Sequence, residues 1–354
     1  ALALPRTVRG TQDSLLVRLP SDAATSTVPW SVTPLERGHF PIDRVYLGAN
    51  SALGFWEHRR QSAVSGTFRV YPNVQRERRN LAALFLDRAP FGVHARRFTG
   101  KGREFEQLRE YVPGDSYDDI HWKASARRGE PITKTFQVER TQEVYVLIDS
   151  SRTSSSVLEV DRNGNGVTNL ERSITASLVL GLAAELQGDL FGVLSFDSRV
   201  NRFIKARNGR GHYNACRDAI YDVEPSTENP DFAELFSFIR VRLRKRALII
   251  VLTNLGDPLL AEEFMRHVEL VSRNHLILAI SVKDPEVAPV FSSDVASTVD
   301  DVYARLGGHL EWSNLQRIKQ SLHARNVTLS FAPHEALSTE LVSQYLRQKE
   351  RQLL

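Results

Sequence analysis

The sequence is nearly devoid of sulfur, with one cysteine, Cys216, and one methionine, Met265, in 354 residues. A lone cysteine closes no intrachain disulfide and supplies no multi-cysteine metal site, which excludes a disulfide-stapled extracellular scaffold and favours a reducing compartment. Long apolar runs are missing too. LIIVL at 248–252 and HLILAI at 275–280 are strand-sized, far short of the ~20 residues a membrane-spanning helix needs. Neither sign of charge dominates, since 46 Lys and Arg face 42 Asp and Glu for a formal net charge of +4. That balance argues against a bulk polyanion binder, so nucleic acid is not an expected partner, although a pI near 9.2 keeps local basic patches in play. The opening ALALPRTV has neither an initiator Met nor the order of basic, apolar and small residues of a signal peptide. A processed chain, or one whose N-terminal part is missing, is expected.

What is present is ordinary globular composition, 42% hydrophobic and 25% charged, in a length that fits about two domains. From about 14 to 72, short alternating or β-branched runs (LLVRL, TVPWSV, HFPIDRVYL, GTFRVYP) are cut by turn residues. This pattern predicts a small all-β, sandwich-like domain. Residues 76–103 carry eight basic side chains against two acidic ones and read as a solvated connector. From 143 onward, strand-like apolar runs alternate with amphipathic helices, the signature of a doubly wound, mostly parallel α/β sheet. Strands are predicted at 143–149, 190–196, 200–205, 247–253, 275–281 and 327–331, with helices at 171–187, 210–222, 231–244, 259–273, 300–324 and 335–350. The domains are accordingly 1–95 (β-rich, with the basic connector), 96–139 (a linker) and 140–354 (α/β).

In open α/β sheets ligands gather beyond the carboxyl ends of the strands. The first strand ends in VLIDSSRTSS, which places Asp149, Ser151 and Thr153 as D-x-S-x-T at that edge. A carboxylate and two hydroxyls supply part of the oxygen shell that Mg²⁺ takes, and Thr227, Glu228, Asn254 and Asp257 on neighbouring loops could complete it. The same residues also suit a plain turn in which Asp149 caps the following backbone. Asp161, Asn163 and Asn165 resemble the start of a calcium loop without its closing acid at the twelfth position, and read better as an Asn-Gly turn. RNGRGH at 207–212 lacks the G-K-[ST] of a phosphate-binding loop, and no nucleotide motif is found.

The block before that first strand carries the most specific text: Gly102, Glu104, Phe105, Leu108, Arg109, Glu110, Tyr111, Pro113, Gly114, Asp115, Ile120, Trp122, Lys123, Ala126 and Arg127. It resembles the signature of the bacterial domain-of-unknown-function family fifty-eight, and D-x-S-x-T resembles the metal-ion-dependent adhesion site of von Willebrand factor A domains. The upstream PLERGHFPIDRVYLGANSALGF and FRVYPNV are similar to the strands that precede the signature in that family. The resemblance implies an α/β von Willebrand A-like domain (Rossmann-like, doubly wound) preceded by a small all-β sandwich-like domain. It further implies a non-enzymatic adaptor at the bacterial inner membrane, held by an N-terminal anchor absent from this chain, with its soluble part facing the cytoplasm. A MoxR-type AAA+ ATPase is the implied partner, in a chaperone-like or assembly role. This sequence departs from the family pattern at Ser116, Asp118 and His121, and at Asn254, where a carboxamide stands for the usual acid. With less negative charge, the implied site, made of Asp149, Ser151, Thr153, Thr227, Asn254 and Asp257, is degenerate and is expected to hold Mg²⁺ weakly or only with a partner's help. Arg109, Glu110, Tyr111, Asp115, His121, Trp122, Lys123 and Arg127 are expected to form an interdomain clamp with Trp122 largely buried.

Two other readings compete. VLIDSSRT and LIIVLTN mimic the first two motifs of haloacid-dehalogenase phosphohydrolases, with Asp149 as nucleophile and Thr253 holding phosphate. Those enzymes place a general-acid Asp two residues after the nucleophile, where this chain has Ser151, a poor proton donor near neutral pH. The third reading is an anionic-surface binder, of nucleic acid or lipid, working through 76–103 and the basic run at 240–246; sparse aromatics count against base stacking.

Overall fold

The computed structural model describes residues 25–51, 53–75, 104–112, 120–137, 141–160, 166–284 and 298–350, with shorter pieces at 3–5, 7–12, 14–17, 77, 99–100, 117 and 287–290. The basic connector and the calcium-loop-like Asp161–Asn165 therefore lie almost wholly outside the described residues. The chain forms two compact units, one made of Ala1–Arg79 with Glu143–Leu354 and the other of Asn80–Gln142. This division differs from the three parts drawn from the sequence, because the N-terminal strands share contacts with the α/β half.

In the first unit, β1 (Val8–Gly10) pairs with β2 (Val32–Pro34), and β3 (Gly38–Asn50) with β4 (Glu57–Val70), both antiparallel. Arg37 ties this strand-rich part to the α/β half. Its guanidinium donates to the Tyr221 carbonyl at 2.7 Å and to that of Val223, and pairs with Glu171 at 2.8 Å. Burial lowers the Arg37 pKa and raises that of Glu171, while the attraction between the two opposes both shifts. Beside this anchor the Arg217 guanidinium lies 3.9 Å from the centre of the Tyr71 ring.

The second unit holds β5 (Thr99–Gly100), β6 (Glu104–Glu110) and β7 (Ile132–Gln137), an antiparallel sheet in the order β5-β7-β6. Between β6 and β7 runs the short helix α1 (Trp122–Arg128), which ends on Gly129 at φ 76°.

The α/β half has six strands: β8 (Glu143–Asp149), β11 (Leu190–Phe196), β12 (Val200–Arg207), β13 (Leu248–Leu252), β14 (Leu276–Lys283) and β15 (Val327–Pro333). Their order in the sheet is β12-β11-β8-β13-β14-β15. All neighbours are parallel except β11 and β12, which form a hairpin. Numbered within the half, this is 3-2-1-4-5-6 with one antiparallel edge strand, so the architecture is the doubly wound, von Willebrand A-like one the sequence predicts. Strands buried on both faces require continuous apolar text, and Val144–Ile148 and Leu248–Leu252 are each at most 2% exposed. A small additional hairpin, β9 (Val157–Val160) with β10 (Gly166–Thr168), follows β8.

The helices are α2 (Asn169–Leu186), α3 (Arg210–Ile220), α4 (Phe232–Arg242), α5 (Pro258–Ser272), α6 (Val299–His323) and α7 (Leu337–Glu350). Their starts are chemically marked. Thr168 accepts from the Glu171 N–H, Asp231 from that of Glu234, and Thr298 forms a capping box with Asp301. Helix α2 is apolar nearly all round and accordingly buried, with Leu170, Ile174 and Leu178 at 0% exposure. On the other face Phe232, Phe236 and Phe264 stack in edge-on pairs 5.1–5.4 Å apart. No helix among the described residues is long and apolar enough to cross a membrane.

Candidate functional site

Asp149 is the last residue of β8, and the parallel register fixes what stands beside it. Phe196 of β11 is level with Asp149, and Leu252 of β13 is level with Ile148, so Thr253 comes level with Asp149 on the other side. The loops after these strands therefore emerge at one carboxyl edge. They are stitched together by backbone bonds: Ser226 N–H to the Ser150 carbonyl at 2.7 Å, and Arg152 N–H to the Glu228 carbonyl at 2.8 Å.

Within this edge the Asp149 carboxylate is 2% exposed and accepts from three neighbours. The Ser151 N–H donates to Oδ1 at 2.9 Å, and the hydroxyls of Thr153 and Thr253 donate to Oδ2 at 3.0 and 2.6 Å. Ser151 Oγ and Thr153 Oγ1 are 3.0 Å apart. Burial pushes the Asp149 carboxyl above its ordinary range, and hydrogen bonds from Ser151, Thr253 and Thr153 pull the other way.

Of the residues expected to share a cation, the structure brings Asp149, Ser151 and Thr153 together. Of the other three, two are used elsewhere. Thr227 is exposed between two pinned residues, and no hydrogen bond among the described residues joins it to Asp149. The Asn254 carboxamide accepts from the Gly256 N–H at 2.9 Å within its own turn, and Asp257 caps α5 by accepting from Leu259 N–H at 2.9 Å. Thr253, which the family resemblance sets beside Asn254 in the third metal loop and the competing hydrolase scheme reads as a phosphate holder, is the one member not counted among the expected ligands; a hydroxyl directly after an all-apolar strand is a further signal for it.

The donor set suits a hard cation in kind: one carboxylate and three hydroxyls, all oxygen. Ligand distances near 2.0–2.1 Å place adjacent corners of an octahedron roughly 3 Å apart, which matches the 3.0 Å between Ser151 Oγ and Thr153 Oγ1. A single negative charge is little to offset dehydration of Mg²⁺.

A second cluster escaped the sequence reading. Ligand atoms of Glu159, His334 and Glu335 lie within 4.8 Å of one another, but Glu159 is already paired with Arg172 and with His334. Sulfur chemistry is closed off, since burial pushes the Cys216 thiol up to about 12.

Within the second unit the residues of the expected clamp make local contacts. Trp122 is 70% exposed. Helix α1, which carries Lys123, Arg127 and Arg128, has no buried residue. His121 accepts from the Ala124 N–H at 3.1 Å and so caps α1, Arg109 donates to the Glu110 carbonyl at 3.2 Å, and Tyr111 stacks on Tyr117 at 5.9 Å. Asp115 lies outside the described residues.

Comparison with known proteins gives three kinds of likeness. The family profile described as "Protein of unknown function DUF58" matches residues 107–290. The uncharacterized protein YeaD of Bacillus subtilis (strain 168) is 27% identical over 138 residues, 38% of this chain and 33% of that protein. The match thus spans about a third of the length of that relative. Among solved structures, BatB from Bacteroides thetaiotaomicron is 15% identical with a TM-score of 0.36, covering 58% of this chain and 99% of that one. The SpRpn10 VWA domain is 14% identical with a TM-score of 0.36, over 58% and 95%. An aerotolerance-related membrane protein from Bacteroides fragilis NCTC 9343 is 14% identical with a TM-score of 0.37, over 58% and 99%.

Proposed function

The chain belongs to the DUF58 family, and from that premise we propose that it is a non-enzymatic interaction module that presents the Asp149 edge to a protein partner. The observation that carries this reading is the hydroxyl-lined carboxylate at the carboxyl edge of the sheet, where three loops converge. Its lining is polar and preorganised. A haloacid-dehalogenase-like role for Asp149 fits less well, because Ser151 stands where those enzymes place their general-acid Asp, and a serine hydroxyl is a poor proton donor near neutral pH.

In this reading Asp149, Ser151 and Thr153 would hold Mg²⁺, the hydrogen bonds that now join them giving way to the ion while Thr253 keeps its bond to the carboxylate; a bound ion would supply a Lewis-acidic point for a partner carboxylate. A partner acid would add the charge that Asn254 lacks, which makes metal binding and partner binding mutually reinforcing. The partner we propose is a MoxR-type AAA+ ATPase, and the setting the cytoplasmic side of a bacterial inner membrane, through an anchor of the kind the family resemblance implies. Titration calorimetry of the chain with Mg²⁺ alone tests the metal part. Affinity weaker than micromolar is expected, and sub-micromolar affinity would overturn the dependence on a partner.

A further inference from the structure

Helix α6 is amphipathic on two opposite sides. Gly308, Leu315, Ile318 and Leu322 face the core and are buried. On the first half of the same helix Val299 is 71% exposed, Tyr303 69%, Leu306 44% and Leu310 69%, with Val302 beside them at 44%. At 100° per residue Val299, Tyr303, Leu306 and Leu310 fall in a stripe about 60° wide that points away from the packed face. A surface helix ordinarily carries charged side chains there. The spacing of +4, +3, +4 is that of a coiled-coil seam, which is buried by another helix.

We propose that this seam is the contact between two copies of the chain, with the α6 helices antiparallel. The spacing fits a second copy as the occupant. Read backwards, +4, +3, +4 is unchanged, so a second copy running the other way sets Val299 against the partner's Leu310 and Tyr303 against the partner's Leu306 in every layer. Self-complementarity of this kind is what a two-fold contact requires. Charge selects the direction. Asp300 and Asp301 lie in the first turn of α6; a parallel pair would bring both acidic ends and both helix dipoles side by side, whereas the antiparallel pair separates the acids and opposes the dipoles. In that arrangement Asp300 comes beside the partner's Gly307 and Val302 beside the partner's His309, so no like charges meet. The seam covers roughly 500 Å² per copy, at the low end for a specific contact, so association is weak and reversible.

Sedimentation velocity of the full chain from about 1 to 300 µM tests this, a range matched to a weak interface. A shift from monomer to dimer is expected. Tyr303→Lys and Leu306→Glu, both at exposed positions and checked for an unchanged melting temperature, should each weaken association at least tenfold. Mixed one to one, the two variants should dimerise again, because the antiparallel register sets the new lysine against the new glutamate. Val299→Lys with Leu310→Glu repeats the test in the outer layer should either inner variant fail to fold. A wild-type chain that stays monomeric throughout overturns the proposal, as does a mixture no more dimeric than its components. So would seam variants that lose capture of a different protein while self-association is unchanged, since the occupant would then be that protein.

Discussion

At the scale of single residues, Thr253 is the test of how Asp149 is held. Its hydroxyl makes the shortest of the carboxylate's hydrogen bonds, 2.6 Å, in a place water does not reach. Thr253→Val keeps the shape and removes the donor, so a loss of about 1–3 kcal/mol in urea denaturation is expected; exposed Thr227→Val should change stability by less than about 0.5 kcal/mol. His275 gives the pH dependence. It is 5% exposed, and burial lowers its pKa below the ordinary 6.5. The unfolded chain then binds more protons than the folded one near that pH, so stability is full above about pH 6.5 and falls as the solution is acidified through it. The slope from this group is up to roughly 1.4 kcal/mol per pH unit. Unfolding measured between pH 7.5 and 5.5 should show a flatter profile for His275→Gln than for the wild type, and parallel profiles would remove the assignment.

At the scale of elements, the β11–β12 hairpin depends on a glycine. A Cβ at Gly192 would stand 2.7 Å from the Ile204 carbonyl oxygen and 2.8 Å from the Ala206 nitrogen, backbone atoms that cannot swing aside. Gly192→Ala should therefore cost at least about 1–3 kcal/mol, while Gly211→Ala in α3, where nothing lies within 4 Å, should be neutral or slightly stabilising; thermal unfolding compares the two. The elements of the α/β half were legible because each carries its own signal: unbroken apolar runs for strands buried on both faces, caps at Thr168, Asp231 and Thr298 for helices. What pattern could not reveal is direction, and the reversal of β12 follows only from the short turn Asp197–Arg199 that makes it the hairpin partner of β11. Nor could it reveal environment. Trp122 sits among residues typical of a signature, and that text carries no sign of its 70% exposure.

At the scale of the whole molecule, the site is legible only in part. Asp149, Ser151 and Thr153 are local in sequence and their meeting follows from one turn, whereas Thr253 joins them through strand register across 104 residues. Asn254 and Asp257 looked equivalent to Thr253 as text, but their short side chains satisfy their own backbone first. The Arg37 anchor belongs to this scale too. Arg37→Met should weaken the whole first unit by roughly 2–4 kcal/mol, because it leaves the Tyr221 and Val223 carbonyls without their charged donor; chemical denaturation at constant pH measures it. The central claim is that the Asp149 edge is where a partner is held. Its most direct measurement is the affinity of the chain for a MoxR-type ATPase at constant Mg²⁺, compared among wild type, Asp149→Asn and the Ser151→Ala, Thr153→Ala double variant, each shown to melt as a folded domain. A loss of tenfold or more in both variants is predicted, and unchanged affinity in folded variants would reduce the cluster to a structural turn.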